Sequence, residues 1–318
     1  MTSMAESRPD VTVVVFTYNG RHHLERLLPT IAAQTVQGFA LHVVDDGSGD
    51  DTLAWLTQHW PEAKVFPAQR NAGITATMAR SIATASTEYV ALLNNDLELE
   101  PQWLEELLAA IESRPRAAAI EGKTLRFDRR DVLDGAGDLM RRNGYPDRRG
   151  QGEPDDGRYD APEEIFSASG TAALFRRQAF DDVGGFDTDL EAYYEDLDWG
   201  FRARLRGWTA WYVPTARAYH VGSATAGAEP GRFTPLIIRN QILVTIKNWP
   251  APLLLRHGWR IAFFELKWLP FNALHGMGRH HARALADVVR MLPATLRKRR
   301  AVQRSRTAAW RDLERVID

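Results

Sequence analysis

The sequence predicts an α/β fold with a mainly parallel sheet, flanking helices and a helical C-terminal region, and three observations carry that expectation. From Val11 to Ser113, β-branched and aromatic runs alternate with stretches of helical spacing, the pattern of right-handed β-α-β crossovers. Strand ends deliver acids in chain order, at Val43-Val44-Asp45-Asp46 and Leu92-Leu93-Asn94-Asn95-Asp96, with Glu195-Asp196-Leu197-Asp198 following at a helix entrance. In open α/β sheets ligands gather at the carboxyl ends of the strands, which makes these acids site candidates. From Leu236 onward the spacing is helical to the end.

Val11 to Phe16 is a continuous apolar run apart from Thr12, as expected of a parallel strand buried on both faces, and Leu24 to Ala33 has helical spacing. The pair recurs as Leu41–Val44 with Thr52–His59, a short strand near Val65 with Thr75–Ala85, and Tyr89–Leu93 with Pro101–Ser113, whose proline suits a first helical position. Arg126 to Pro162 is rich in Arg, Asp, Gly and Pro and reads as a long functional loop region. Ile165–Phe175 reads as a strand, Gly184-Gly185-Phe186-Asp187 as a turn, Asp196–Arg206 as a helix stopped by Gly207, and Trp208–Val213 as a strand. A mobile loop at Gly222–Pro235 closes a catalytic body of residues 1–235, and residues 236–318 form a helical, basic region. There Leu285, Val288, Val289 and Leu292 share one apolar face.

The chain of 318 residues has no cysteine, which excludes disulfides, thiolate metal sites and a cysteine nucleophile. Met1 to Asp10 has no apolar stretch, and the longest apolar region, Leu253–Phe271, is interrupted by Arg256, Arg260, Glu265 and Lys267. Neither a secretory leader nor a spanning helix is expected, and the location that follows is cytoplasmic. The net charge of -1 conceals a split: Ala251–Asp318 holds 14 Lys and Arg against 5 Asp and Glu, leaving 26 against 36 in the rest. An acidic body with a basic tail points the tail toward an anionic surface.

Each acidic motif has a plain structural reading beside the functional one. Asp45-Asp46-Gly47-Ser48 suits a capped turn, but Thr17-Tyr18-Asn19 at the neighbouring strand end would put amide and carboxylate acceptors beside a nucleobase edge. Asn94-Asn95-Asp96 is a strand-to-helix turn or half of a site for a hard divalent cation, Mg²⁺ or Mn²⁺, which prefers oxygen ligands and shares them with diphosphate. His220 either completes such a site or is a hydrogen-bonded structural histidine. The acids at 195, 196 and 198 favour a helix start electrostatically, and one of them placed at a pocket edge is also suited to be a general base. Arg202, Arg204 and Arg206 lie on different helix faces and are expected to be solvated or paired.

Together these motifs, spanning about Val11 to Val221, resemble the inverting, nucleotide-sugar-dependent family 2 glycosyltransferases of the GT-A fold. The resemblance assigns Thr17, Tyr18 and Asn19 to the nucleotide loop, Asp46 to the base, and Asn71 to Gly73 to the ribose and diphosphate. Asn94-Asn95-Asp96 stands where that family has Asp-x-Asp, in the form typical of its rhamnosyltransferase-like branch, so Asn95 and Asp96 would meet the diphosphate and Asp96 the metal. Gly184-Gly185-Phe186-Asp187 and Tyr194-Glu195-Asp196-Leu197-Asp198 are also similar to that branch. The resemblance makes Asp196 the base, His220 a metal or diphosphate ligand, and Ser169, Gly170, Glu195 and Asp198 acceptor-side residues.

The implied reaction is a single displacement on a dTDP- or UDP-sugar by a hydroxyl of a glycan, lipid-linked or small-molecule acceptor. A dinucleotide enzyme is set aside because the first turn, Thr17-Tyr18-Asn19-Gly20-Arg21, lacks G-x-G-x-x-G. The rival from another class is a nucleotide-sugar-binding protein without catalysis, motivated by Asn94. In the tail, Arg260 and Lys267 sit among Trp259, Phe263, Phe264, Leu266 and Trp268, and Arg297, Lys298, Arg299, Arg300, Arg304 and Arg306 follow. These suit a peripheral contact with an anionic cytoplasmic membrane. The competing reading packs the helices on the body or on a second copy in a homodimer; nucleic acid is excluded as a partner by the acidic body.

Overall fold

The computed structural model describes residues 10–222 and 230–318; part of the expected loop between Gly222 and Pro235 therefore lies outside the described residues. The first strand, β1 (Val11–Thr17), is buried at every position. It lies between β2 (Ala40–Asp45) and β4 (Tyr89–Asn94), parallel to both, and β3 (Lys64–Pro67) extends the parallel half. Helices α1 (Arg21–Ala32), α2 (Thr52–His59) and α3 (Ile74–Thr84) make the crossovers. α1 buries Leu24, Leu27, Leu28 and Ile31, one stripe at i, i+3, i+4 and i+7. A change such as Leu27→Ala there costs about 2–5 kcal/mol.

The sheet holds ten strands in the order β10 (Glu163–Ile165), β12 (Thr209–His220), β6 (Ala117–Arg126), β11 (Ala172–Arg176), β4, β1, β2 and β3, with β5 (Leu97–Leu99) added to β12 and β7 (Leu133–Gly135) to β6. β5 (Leu97–Leu99) and α4 (Trp103–Glu112) follow β4, so the helix expected from Pro101 starts two residues later. β6 (Ala117–Arg126) is a ten-residue strand that the sequence reading did not place. The region expected to be loop carries β7 (Leu133–Gly135) and a hairpin of β8 (Asp138–Met140) and β9 (Pro146–Arg148). The single strand expected over Ile165–Phe175 is two: β10 (Glu163–Ile165) and β11 (Ala172–Arg176). β11 runs against both β4 and β6, so its start lies at the edge where β1, β2, β4, β6 and β12 end. After α5 (Arg177–Val183) and α6 (Glu195–Leu205), β12 runs from Thr209 to His220, seven residues past the expected end.

Four helices complete the chain: α7 (Pro230–Asn248), α8 (Ala251–Leu274), α9 (Gly278–Ser305) and α10 (Trp310–Arg315). The boundary expected at residue 235 falls inside α7. Leu253, Trp249, Val244, Leu313 and Ile317 share a core with Phe166, Leu197, Phe201 and Leu205. The helical region is thereby joined to the body by apolar burial. Among the described residues no helix is long and apolar enough to cross a membrane.

Candidate active site

The site is built where the strand ends converge. At the end of β1, Thr17 Oγ1 accepts a hydrogen bond from Asn95 Nδ2 at 2.8 Å, tying the first strand to the Asn94-Asn95-Asp96 turn. Gly20 is required beside it, because a Cβ there would stand 2.0 Å from Asn95 Nδ2 and 2.3 Å from Thr17 Oγ1. Asn19 has a positive φ of 46°; its N–H donates to Ser48 Oγ at 2.8 Å and its Oδ1 accepts from Gly49 at 2.8 Å. Tyr18 is left half exposed at the rim.

The two aspartates after β2 have different tasks. Asp45 is buried and closes its own turn, accepting from the Gly47 and Ser48 N–H groups at 3.0 and 2.9 Å. Asp46 reaches across: Oδ1 accepts from the Ala72 N–H and Oδ2 from the Gly73 N–H, both at 2.9 Å. Gly47, with φ +78°, permits that approach, since a Cβ there would lie 2.6 Å from the Arg70 carbonyl carbon. Asn71 Oδ1 also accepts from Gly73, at 3.1 Å. The residues expected at the nucleotide, 17–19, 46 and 71–73, are thus one hydrogen-bonded rim.

In the middle of the edge, His220 stands between two carboxylates. Its Nε2 lies 3.2 Å from Asp96 Oδ1 and its Nδ1 2.9 Å from Asp134 Oδ2. Burial opposes a charged ring, but the bonds to Asp134 and Asp96 outweigh it and hold the imidazole up at about 9. Both carboxyls lie below their ordinary range, because the His220 bond overcomes the burial that would raise them. A cation taken by Asp96 and His220 would have to displace the proton on Nε2. At metal–ligand distances of about 2.1 Å, neighbouring ligands of an octahedral ion lie about 3 Å apart; that is the spacing of Asp96 Oδ1 and His220 Nε2. Asp134 bonds the other ring nitrogen and fixes the orientation of the imidazole. No cluster of three or more His, Asp or Glu side chains suited to a metal occurs among the described residues, so remaining ligands would have to come from substrate or water.

The acceptor-side acids separate sharply. Glu195 is 5% exposed, and burial, reinforced by the Asp196 charge, pushes its carboxyl up to about 8. Asp198 is fully buried and faces the C-terminal helices, bonded by Arg202 Nε at 3.0 Å, Asn248 Nδ2 at 2.7 Å and Lys247 Nζ at 2.7 Å. Only Asp196 opens to the edge; its Oδ2 accepts from Gly170 N–H at 2.8 Å and its Oδ1 from Leu197 N–H at 2.7 Å. Ser169 is held by Glu121, whose carboxylate accepts from its N–H at 2.7 Å and from its hydroxyl at 2.9 Å. Arg204 and Arg206 pair with Glu164 and Asp182, so neither is a phosphate clamp.

Sequence reasoning missed the floor of this site. Arg148 Nη2 approaches Glu121 Oε1 at 3.3 Å and Asp134 Oδ2 at 3.8 Å. Asp138, bonded by Ser167 Oγ at 3.1 Å, is pushed well up by burial and by the charges of Asp196 and Glu121. The available clue was charge inside apolar sequence: Glu121 and Lys123 interrupt a run that otherwise reads as a buried strand.

The loop that presents Asp196 is strained and braced. Glu191, Tyr193 and Tyr194 all have positive φ, at 63°, 70° and 68°, a conformation unusual for residues with side chains. Asn240 on α7 donates through Nδ2 to the carbonyls of Leu190, Ala192 and Tyr193 at 2.8 to 2.9 Å. Arg239 adds bonds to Glu191 Oε1 at 2.8 Å and the Leu190 carbonyl at 2.9 Å. Lys247 holds Asp187 at 2.5 Å, joined by Lys298 from α9.

Residues 12–184 match the family model described as glycosyl transferase family 2. The chain is 30% identical over 246 residues to N-acetylglucosaminyl-diphospho-decaprenol L-rhamnosyltransferase of Mycobacterium tuberculosis, covering 69% of this chain and 78% of that protein. It is 27% identical over 269 residues to pre-mycofactocin glycosyltransferase of the same organism, covering 75% and 52%. Two solved structures share the fold: GalNAc-T7 with UDP, GalNAc and Mn²⁺, with TM-score 0.62 at 18% identity over 77% of this chain and 49% of that one; and the mannosyltransferase PcManGT of Pyrobaculum calidifontis with GDP-Man and Mn²⁺, with TM-score 0.57 at 18% identity over 98% and 86%. The architecture is the expected GT-A fold with a helical C-terminal region, and the chain belongs to glycosyl transferase family 2, as a nucleotide-sugar glycosyltransferase similar to rhamnosyltransferases.

Proposed function

We propose that this glycosyltransferase is inverting and metal-assisted, and that it moves a deoxyhexose such as rhamnose from a dTDP- or UDP-linked donor to a hydroxyl of a lipid-linked or other glycan acceptor. The relatives' names support the sugar and the lipid-linked acceptor. One observation carries the mechanism: of the three acids at 195, 196 and 198, only Asp196 opens to the converging strand ends, with both oxygens oriented by backbone N–H groups. Residues 1–235 are assigned to the catalytic body and 236–318 to the helical region, with α7 crossing between them.

In this reading the rim of Thr17, Tyr18, Asn19, Asp46, Asn71 and Gly73 receives the nucleotide, and Tyr18 offers it an aromatic face. Asn95, Asp96 and His220 face the diphosphate; Asp96 and His220 would hold Mg²⁺ or Mn²⁺, which when bound offsets charge on the leaving group. Asp196 takes the proton of the acceptor hydroxyl as its oxygen bonds to the anomeric carbon. The bond from that carbon to the diphosphate oxygen breaks in the same displacement, and the nucleoside diphosphate leaves with the electron pair. Ser169 and Gly170 border the acceptor's approach. Asn94 does not remove a ligand from this set, because Asp96 carries the charge, and this favours an active enzyme over a protein that only binds donor.

Asp196→Asn tests the assignment. The amide keeps the shape but takes no proton, so transfer falls about 10²- to 10⁴-fold while donor affinity holds. Transfer at the parental rate would move the base elsewhere.

A further inference from the structure

Two groups of cations stand out in and beside the tail. Lys298 is bound to Asp187 and Asp189, and Arg299 donates to the carbonyls of Ile246 and Trp249 at 2.6 and 2.7 Å. That part of the basic run holds the helices to the body. In a second group, among the described residues, only Arg256 and Arg315 have carboxylate partners, Glu314 and Asp312. Arg142, Arg256, Arg260, Arg311 and Arg315 line a cavity of about 550 Å³ together with His257, Trp259 and Glu314. Glu314 is the only acid in the wall, and it is already shared by Arg256 and His257, at 3.3 and 3.1 Å. Arg142, Arg260 and Arg311 have no carboxylate partner among the described residues; Arg260 lies over Trp259 and Arg311 over Trp310.

The cavity opens beside an uncovered apolar stripe. Along α8, Leu255, Trp259, Phe263, Leu266 and Leu274 are 64 to 87% exposed and recur at helical spacing, with Arg256, Arg260 and Lys267 each one position past a member. An exposed apolar stripe flanked by cations is the form of a helix that lies in a membrane interface. A nucleic acid would match the arginines but would leave the stripe in water.

We propose that this surface docks on an anionic phospholipid leaflet: the α8 stripe enters the headgroup boundary, and the arginine cavity receives a lipid phosphate. The position ties docking to the active site. Arg142 sits in the turn of the β8–β9 hairpin, whose base carries Arg148; Arg148 meets Glu121, Glu121 holds Ser169, and the next residue, Gly170, donates to Asp196. Four residues of extended chain span only about 13 Å. Tyr145 of the same turn packs against Phe264 of α8, ring centroids 5.3 Å apart. A lipid-linked acceptor would therefore meet Asp196 with its lipid already in the plane that α8 occupies. This deepens the lipid-linked part of the proposed function and rests on it.

The test is flotation of the full chain with phosphatidylcholine vesicles and with vesicles of equal parts phosphatidylcholine and phosphatidylglycerol. Nucleoside diphosphate binding in solution is measured alongside, so that docking and the transferase reading can fail separately. The protein is expected to float only with the anionic vesicles. Arg142→Gln, Arg260→Gln and Arg311→Gln together should weaken that binding on the order of 100-fold, Trp259→Ser with Phe263→Ser should abolish it, and both variants should bind nucleotide as before. Equal flotation on neutral vesicles, or no loss in the arginine variant, overturns the proposal. So does a homodimer that the Trp259→Ser/Phe263→Ser variant dissolves, retention on polynucleotide instead of vesicles, or stabilisation by inorganic phosphate without vesicle binding.

Discussion

The side-chain amide of Asn240 donates to the carbonyl of Tyr193, 47 positions earlier, at 2.9 Å. The same nitrogen also meets the carbonyls of Leu190 and Ala192, so one buried group from α7 fixes the loop in which three side-chain-bearing residues have positive φ. Strained backbone persists only where its surroundings over-determine it. Asn240→Ala removes that constraint and leaves three carbonyls without their donor. Transfer is expected to fall by about 10²-fold through misplacement of Asp196, with donor affinity unchanged. Turnover measured against donor affinity by calorimetry checks it, since a general loss of folded protein would lower both signals together.

Asp46 acts on the opposite wall. Asp46→Ala frees the Ala72 and Gly73 N–H groups and releases the turn before α3. Losing hydrogen bonds to a charged acceptor costs about 1.5–3 kcal/mol each, so nucleotide affinity should drop by at least about tenfold. A titration with the nucleoside diphosphate reads this directly, and an unchanged affinity would leave Asp46 a purely structural residue.

Donor binding should require a divalent cation. Removing it with chelator weakens donor affinity in the parent; Asp96→Ala loses more than His220→Ala because the carboxylate carries the charge. Equal affinity with and without chelator in the parent would rule out the cation.

Two acids give stability opposite dependences on pH. The charges and bonds of Lys247 and Lys298 overcome burial and bring Asp187 down to about 2. Its contribution, about 2–3 kcal/mol, is present above its unfolded value near 4 and is lost as pH falls toward 2. Glu195, raised to about 8, takes up a proton on folding; stability present below about 4.5 is lost as pH rises toward 8. Denaturant midpoints across pH should show Asp187→Asn flattening the acid limb and Glu195→Gln the alkaline one.

The parallel half of the sheet was legible because strands buried on both faces are nearly all apolar: β1 shows this at every position. β6 was hidden by its own contents. Ala117, Ala118 and Ala119 carry little strand preference, and the buried Glu121 and Lys123 break the apolar run. The hairpin was missed because its strands have three residues each, too short for a period to register. The acidic trio was visible at 195, 196 and 198, but which acid faces the site depends on Gly170, Lys247 and Asn248, brought there by the fold. For the same reason Asp134 could not be joined to His220, 86 positions away.

The bracing of the Asp196 loop by α7 and α9 also sets the unit in which this enzyme can be recombined with its relatives. A chimera joined at residue 235 would take the loop from one parent and Arg239, Asn240, Lys247 and Lys298 from another. Such a hybrid inherits the proposed catalytic segment without the partners that hold its backbone. The segment from Asp187 to Asp198 and its helical brace are one heritable piece, however far apart they stand in the sequence.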